Sequence, residues 1–196
     1  MSKVIEGKEK FLEIVRKHNV CSEELLEVLE KLGLYTAPAS TMTNLHNAFD
    51  GGLVDHLIRV ARWAVSHNEM NGKLSPGLKC NPDSVARVAI LHGIGRSNLY
   101  IPNQSEWHKK NLGKMYEFNT SLVSMSPGER ALFYIYMYGG DKMRLTEEEY
   151  QAILNAEKDI SDDAAAKWYS KPLAVLLRHQ IEWAIMDEKL NYSNGL

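Results

Sequence analysis

The chain has 196 residues, 44% of them hydrophobic, which is enough for one compact domain with a sizeable core. Its 23 basic and 25 acidic residues leave a formal net charge of −2, which argues against a long nucleic acid as partner. Cys21 and Cys80 lie far apart, outside any CxxC pattern, and the charged N-terminus has no apolar signal core. Because no apolar run reaches membrane-spanning length, we expect a cytoplasmic protein with no membrane partner.

Helical spacing of apolar residues dominates the first third of the chain. The pattern predicts an amphipathic helix that ends near residues 18–19. A second helix is expected between Ser22, which is suited to the N-cap, and Gly33, which is suited to the stop. Residues 34–50 are rich in Ser, Thr and Asn and are predicted to form a loop.

The middle of the chain combines two strong helices with a long irregular segment. A long helix is predicted from about Gly52 to Met70, and Asn81–Pro82 begins another that closes near residues 92–93. Residues 94–124 carry many aromatic and basic side chains without helical or strand periodicity. A connection of this length in a compact domain is often functional.

Three further helices are predicted in the C-terminal third. Ser126 with Glu129 forms a capping-box pattern, and Thr146 with Glu149 repeats it. The expected helices span about 126–138, 146–156 and 172–190. We therefore predict an all-α fold, a single helical bundle of about seven helices. In it, an N-terminal helical pair (residues 1–34) packs on a larger helical domain (residues 35–196) to form one compact unit.

Three histidines have a sequence context that points to chemistry. His46 lies in HNAFDGGLVDH, ten residues before His56, and Gly51–Gly52 would let the chain turn sharply between them. His92 ends the next apolar helix. Imidazoles brought together from adjacent helices are a common way for a helical fold to build a metal or phosphate site.

These segments resemble HD-domain phosphohydrolases. The stretch HNAFDGGLVDHLIRVARWA followed by VAILHGIGRSNLY is similar to the bacterial and phage-type branch of that family. The likeness continues through YEFNTSLVSMSPGERALFYI, LTEEEYQAILNAEKD and KPLAVLLRHQIEWA, and so covers about residues 35–190. The resemblance implies an HD-like helical domain.

The resemblance also implies a metal centre, but most of its ligands are missing from this chain. In the family a histidine, a His–Asp pair and a distant aspartate bind a divalent metal, often with two more histidines for a second ion. His56 and His92 match two of these ligands. The remaining positions are occupied by Gly93, Pro127, Ala156 and Ile181.

Neighbouring carboxylates do not replace the missing ligands in the sequence pattern. Glu157 and Glu182 each lie one residue late, and one helical step of ~100° would turn their side chains away from the site. Two histidines without a carboxylate make a weak metal site. We therefore expect no catalytic residue, no metal and no cofactor.

The basic and aromatic side of the family pattern is retained. Arg96 takes the position of the family lysine, Tyr100 follows at the expected spacing, and Glu129–Arg130 match a further motif. Arginine binds phosphate through paired hydrogen bonds, and aromatic faces stack on bases. The candidate ligand-binding residues are His46, His56, His92, Arg96, Tyr100, Lys109, Lys110, Lys114, Tyr116, Glu129 and Arg130.

Three functions are compatible with this pattern. The one that the sequence favours is a non-hydrolysing pseudoenzyme that binds a nucleotide or nucleotide-derived small molecule. In a phage-type version it would be an anti-defence sponge that sequesters a nucleotide immune signal in the host cytoplasm.

The second function is a phosphohydrolase or phosphodiesterase with a rearranged or metal-free site, using His56 and His92 as acid and base. The third is a protein-interaction module whose pocket is filled by side chains such as Met115 or Phe118. Homo-oligomer formation stays open.

Overall fold

The computed structural model describes residues 3–158 and 171–193. This description leaves out residues 1–2, 159–170 and 194–196. The first of these ranges belongs to the predicted N-terminal pair (1–34) and the other two to the predicted larger domain (35–196). The described part contains eight α-helices and a two-stranded antiparallel sheet. In chain order they are α1 (Lys3–Lys17), α2 (Glu23–Lys31), α3 (Gly52–Leu74), α4 (Pro82–Leu91), β1 (Tyr100–Pro102), α5 (Glu106–Leu112), β2 (Tyr116–Phe118), α6 (Pro127–Tyr138), α7 (Glu147–Asn155) and α8 (Pro172–Ser193).

Several helices begin where the local sequence signals place them. The Ser22 side chain accepts a hydrogen bond from the backbone N–H of Leu25 at the start of α2. Both capping boxes form, at Ser126 for α6 and at Thr146 for α7, so free N–H groups at these helix ends are satisfied. The all-α prediction is confirmed, with one helix more than expected and with α3 one turn longer.

The segment 94–124 differs from its prediction. It contains the short helix α5 and the β1–β2 pair, in which Tyr100 lies opposite Phe118 and Pro102 lies opposite Tyr116. A further bridge joins Met42 to Lys114, so the segment is anchored to the 34–50 loop. Strands of three residues are too short to show period-two alternation, which is why the sequence pattern did not reveal them.

Helix α3 lies at the centre of the bundle and packs against α1, α4 and α8. One buried apolar cluster includes Phe11 of α1, Leu25 of α2 and Leu57 of α3, together with residues of α4, α6, α7 and α8. The N-terminal helical pair therefore shares the core of the larger segment. No described helix is both long enough and apolar enough to cross a membrane.

Candidate functional site

A tight turn before α3 positions His46. Gly51 has φ +85°, a left-handed conformation that favours glycine, and a Cβ on Gly52 would lie 2.1 Å from the carbonyl oxygen of Asn47. The same Asn47 carbonyl accepts a hydrogen bond from Ala39 N–H at 3.1 Å. The chain is therefore folded back sharply, and the His46 ring lies 5.0 Å from the His56 ring on α3.

Glu188 of α8 joins these two histidines. His46 Nδ1 lies 2.9 Å from Glu188 Oε2, and His56 Nδ1 lies 2.9 Å from Glu188 Oε1. An ionised carboxylate can only accept hydrogen bonds, so both Nδ1 atoms donate to it. The Glu188 side chain has no solvent-exposed surface, and the His46 side chain is only 13% exposed. The turn, α3 and α8 therefore meet at one buried carboxylate.

The charge on Glu188 is maintained by its neighbours. Burial by itself would raise the pKa of Glu188, but the hydrogen bonds from His46 and His56 outweigh it and lower that pKa to about 2. Burial lowers the pKa of His46, although Glu188 opposes this effect. Arg59 Nε lies 3.5 Å from Glu188 Oε1, while the rest of the Arg59 guanidinium pairs with Asp55 and Asp187.

His92 lies behind His56, with 5.9 Å between the two ring centroids. Its Nδ1 lies 2.9 Å from the Ala89 carbonyl oxygen, so Nδ1 carries the proton and Nε2 presents a lone pair. That Nε2 atom is buried without a hydrogen-bond partner. Burial lowers the pKa of His92 to about 3, so its imidazole is neutral at physiological pH.

Arg96 and Glu157 form a paired ion contact next to the histidines. Arg96 Nη1 donates to Glu157 Oε1 at 2.6 Å, and Nη2 donates to the second carboxylate oxygen. Burial opposes the charge on both groups, but their attraction outweighs it, raising the pKa of Arg96 and lowering that of Glu157 to about 2. Arg96 Nε is buried and has no hydrogen-bond partner.

A cavity of about 230 Å³ opens beside these groups. Arg178, which also lines the cavity, donates hydrogen bonds to Glu182 and to the Lys158 carbonyl. The walls of the cavity therefore combine two imidazoles with two guanidinium–carboxylate pairs, Arg96–Glu157 and Arg178–Glu182. The lining residues are His46, His56, Arg96, Ala156, Glu157, Arg178, Ile181, Glu182 and Ile185.

The other sequence-predicted ligand residues do not line this cavity. Tyr100 packs against Phe118 in the sheet, with ring centroids 5.2 Å apart, and contributes to the raised pKa of Arg96. The Tyr116 hydroxyl donates to Asp50 at 2.7 Å, and burial, together with this interaction, raises the Tyr116 pKa.

The predicted basic residues are also dispersed. On α5, Lys109 pairs with Glu106 and Lys110 is exposed, while Lys114 bridges to the 34–50 loop. Glu129 caps α6, and Arg130 donates to the Val123 carbonyl. The structure thus brings together His46, His56, His92 and Arg96 and places the remaining candidates elsewhere.

The side chains at the family positions do not fit the metal centre that the resemblance implies. A Cβ on Gly93 would lie 2.7 Å from the Leu57 Cδ2 atom and 3.7 Å from Arg96 Nη1, so side chains already occupy the space of the family aspartate. Ala156 and Ile181 are buried apolar residues on the cavity wall. His56 and His92 therefore have no carboxylate partner from those positions.

Two carboxylates that were predicted to point away lie on the cavity wall. Glu157 follows the end of α7 at Asn155, so the helical rotation of ~100° per residue does not apply to it. Glu182 also reaches the cavity, where it pairs with Arg178. The prediction that these two side chains turn away from the site is wrong.

Sequence reasoning missed Glu188 altogether. One signal was present: Glu188 continues the buried face formed by Leu177, Ile181 and Ala184, at spacings of three or four residues. A carboxylate on the apolar face of a helix needs a buried partner. Arg59 and Arg178 were missed as well, and both are positioned by contacts with residues distant in sequence.

Comparisons with family models, curated proteins and solved structures found no match for this chain. The relationship to HD-domain phosphohydrolases therefore stays a prediction from the sequence motifs.

Proposed function

We propose that the chain binds a nucleotide, or a similar small molecule bearing a phosphate, in the cavity beside His46 and His56 and does not hydrolyse it. The observation that carries this proposal is Arg96 on the cavity wall. Its guanidinium faces a single carboxylate, and its Nε donor has no partner. A phosphate offers the same paired acceptor geometry as Glu157 and adds a further oxygen.

The size of the cavity sets what it can hold. Its volume of about 230 Å³ is below the roughly 300–1,000 Å³ usual for sites that enclose a whole drug-sized ligand. A phosphate and the adjoining sugar fit this space, and the rest of the ligand lies toward the opening. Arg178, at the same wall, supplies a second guanidinium.

The donor set at the family positions supports binding without hydrolysis by the family's mechanism. Gly93, Ala156 and Ile181 offer no side-chain ligand that could hold a metal-bound water there. Capture without turnover is what a sponge for a signalling nucleotide requires. The similarity to the phage-type branch is the basis for this narrower version, an anti-defence protein that acts in the host cytoplasm.

A metal-free hydrolase is the second candidate. The buried, unpartnered Nε2 of His92 favours it, because a lone pair next to His56 could accept a proton. However, general bases work best with a pKa near the working pH, whereas burial lowers the His92 pKa to about 3. We therefore rank binding first.

A capture-and-release experiment separates these functions. The purified chain is mixed with mono-, di- and cyclic nucleotides and NAD-derived molecules, with and without manganese, and mass spectrometry reads the unbound and heat-released fractions. A species that is retained by the chain and released intact supports the proposal. A species released as product establishes a hydrolase, and retention of no species contradicts binding. Arg96→Ala should abolish retention, whereas Arg144→Ala, at an 84% exposed side chain, should not.

Replacing Glu157 with glutamine should tighten phosphate binding. The change removes the anion that competes for Arg96, so we expect about a tenfold lower Kd for inorganic phosphate or for the captured nucleotide. The folded state should lose about 1–2 kcal/mol, because the change neutralises one partner of an ion pair whose side chains are 11% and 28% exposed. Isothermal titration and urea unfolding measure the two effects.

The matched control is Glu69→Gln, which neutralises a surface carboxylate paired with Lys79. It should change neither quantity appreciably. An unchanged or weaker phosphate affinity in Glu157→Gln would show that Arg96 is not the phosphate-binding group.

A further inference from the structure

Three donor groups from distant parts of the chain converge at one point in the bundle. Among the described residues, His46, His56 and Glu188 each offer a ligand atom, and these atoms all lie within 4.8 Å of one another. The two imidazole–carboxylate separations are both 2.9 Å. Two histidines and a glutamate form a ligand set that zinc uses in proteins.

We propose that His46, His56 and Glu188 form a binding site for a divalent transition-metal ion of the zinc type. The site is distinct from the family metal positions, with which it shares only His56. From the sequence we expected no metal, because most of the family ligand positions lack donors. The proposed site uses two residues, His46 and Glu188, that lie outside those positions. The inference does not depend on the proposed nucleotide binding, because all three ligands belong to the chain.

Metal binding would bring the donors closer to a common point, because His46 and His56 contact different oxygens of Glu188 and the three ligand atoms lie within 4.8 Å of one another. Metal–nitrogen and metal–oxygen bonds of about 2.0–2.2 Å at a tetrahedral angle place ligand atoms about 3.3 Å apart. The present separations of 2.9 Å would open by a few tenths of an ångström. In the metal-bound state each imidazole carries its proton on Nε2, and the cation takes the place of the N–H hydrogens that now point at Glu188.

The charge around the site favours a cation. Glu188, Asp55 and Asp187 share a single guanidinium, that of Arg59. The Arg59 Nε atom, 3.5 Å from Glu188, is buried without a hydrogen bond. When the two imidazoles are neutral, the three carboxylates outnumber the one guanidinium. A divalent ion would offset the charge of the buried Glu188, whereas Asp55 and Asp187 are partly exposed to water.

The donors lie between two cavities. His46 and His56 line the 230 Å³ cavity, and Glu188 lines a second cavity of about 390 Å³ on the side of α1. Because the side chains of Glu188 and His56 are almost fully buried, entry of an ion requires local opening of one of these walls. Three protein ligands leave a coordination position for water or for a bound molecule, as in open zinc sites.

The test uses Zn²⁺ and Co²⁺ as probes on tag-free, chelator-treated chain. We expect one equivalent of Zn²⁺ by isothermal titration and the visible absorption of tetrahedral Co²⁺. At a hundredfold excess over Kd, Zn²⁺ should raise Tm by about 5–10 °C, because the ion links three elements of the folded chain. Failure of the natural chain to bind Zn²⁺ or to gain stability from it overturns the proposal.

Paired variants locate the site. His46→Asn should weaken Zn²⁺ binding by at least about tenfold and remove the Co²⁺ absorption. His67→Asn is the matched control, because His67 is also partly buried and also contacts α8, through Gln180. Glu188→Gln gives a second variant with almost unchanged shape. Equal losses in His46→Asn and His67→Asn, or undiminished affinity in both site variants, would contradict the assignment.

Discussion

Replacing Glu188 with glutamine should lower the free energy of unfolding by about 3 kcal/mol at pH 7 in metal-free buffer. The charged carboxylate accepts hydrogen bonds from His46 and His56 and lies next to Arg59, and its side chain is fully buried. These contacts lower the Glu188 pKa from 4.5 to about 2. At roughly 1.4 kcal/mol for each unit of pKa, the charge contributes about 3 kcal/mol.

The pH dependence gives this prediction a distinct signature. A lowered folded-state pKa means that the stabilisation is complete above the unfolded pKa of about 4.5 and is lost as the pH falls toward 2. Urea unfolding between pH 7 and pH 3 should therefore show a steeper loss of stability on acidification for the natural chain than for Glu188→Gln. The difference between the two chains should fall to less than half of its pH 7 value by pH 3, which is still about one unit above the Glu188 pKa.

Glu182→Gln is the control on the same helix. Its side chain is 59% exposed and pairs with Arg178 four residues earlier, so the expected loss is below about 1 kcal/mol. If Glu188→Gln is no less stable than this control, the carboxylate does not hold the turn, α3 and α8 together as described.

Replacing Gly52 with alanine should destabilise the fold by about 3–4 kcal/mol. The added Cβ would lie 2.1 Å from the Asn47 carbonyl oxygen and 3.0 Å from its carbonyl carbon, so backbone must move. That carbonyl is fixed by Ala39 N–H, and Asn47 itself is held at φ +43°. Movement of the turn would also shift His46 away from Glu188.

Thermal and urea unfolding measure the loss of stability, and the Zn²⁺ titration measures the displacement of His46. Gly77→Ala is the matched control, since a Cβ at Gly77 meets no atom within 4 Å. We expect Gly77→Ala to stay within about 0.5 kcal/mol of the natural chain. A Gly52→Ala chain of natural stability would mean that the turn has another low-energy form.

Much of the helical architecture could be predicted because its signals are local. Ser126 and Thr146 each cap a helix through a contact three residues away, and the sequence displays both partners of that contact. The turn at Gly51–Gly52 could also be predicted, because the glycine pair is itself a local turn signal. The β1–β2 pair escaped prediction because its pairing partners are separated by the whole of α5.

Only part of the candidate site could be predicted from the sequence, because some of its residues are far apart along the chain. The amino-acid pattern singled out His46, His56, His92 and Arg96, and from the chain alone one could infer that the first two are close. The partner of the two histidines, Glu188, lies 142 and 132 residues further along and meets them only because α8 packs on α3.

From the amino-acid pattern alone we could predict that the fold is helical and where most of the described helices begin. The positions that differ from the family metal centre were read from the residues themselves. Local hydrogen bonds and apolar spacing act within a few residues, so these features can be read from the chain. The pairing of Glu157 with Arg96 and the contacts of Glu188 with two imidazoles became known from the folded structure. Such contacts depend on how packed helices cross, and no short stretch of sequence contains that information.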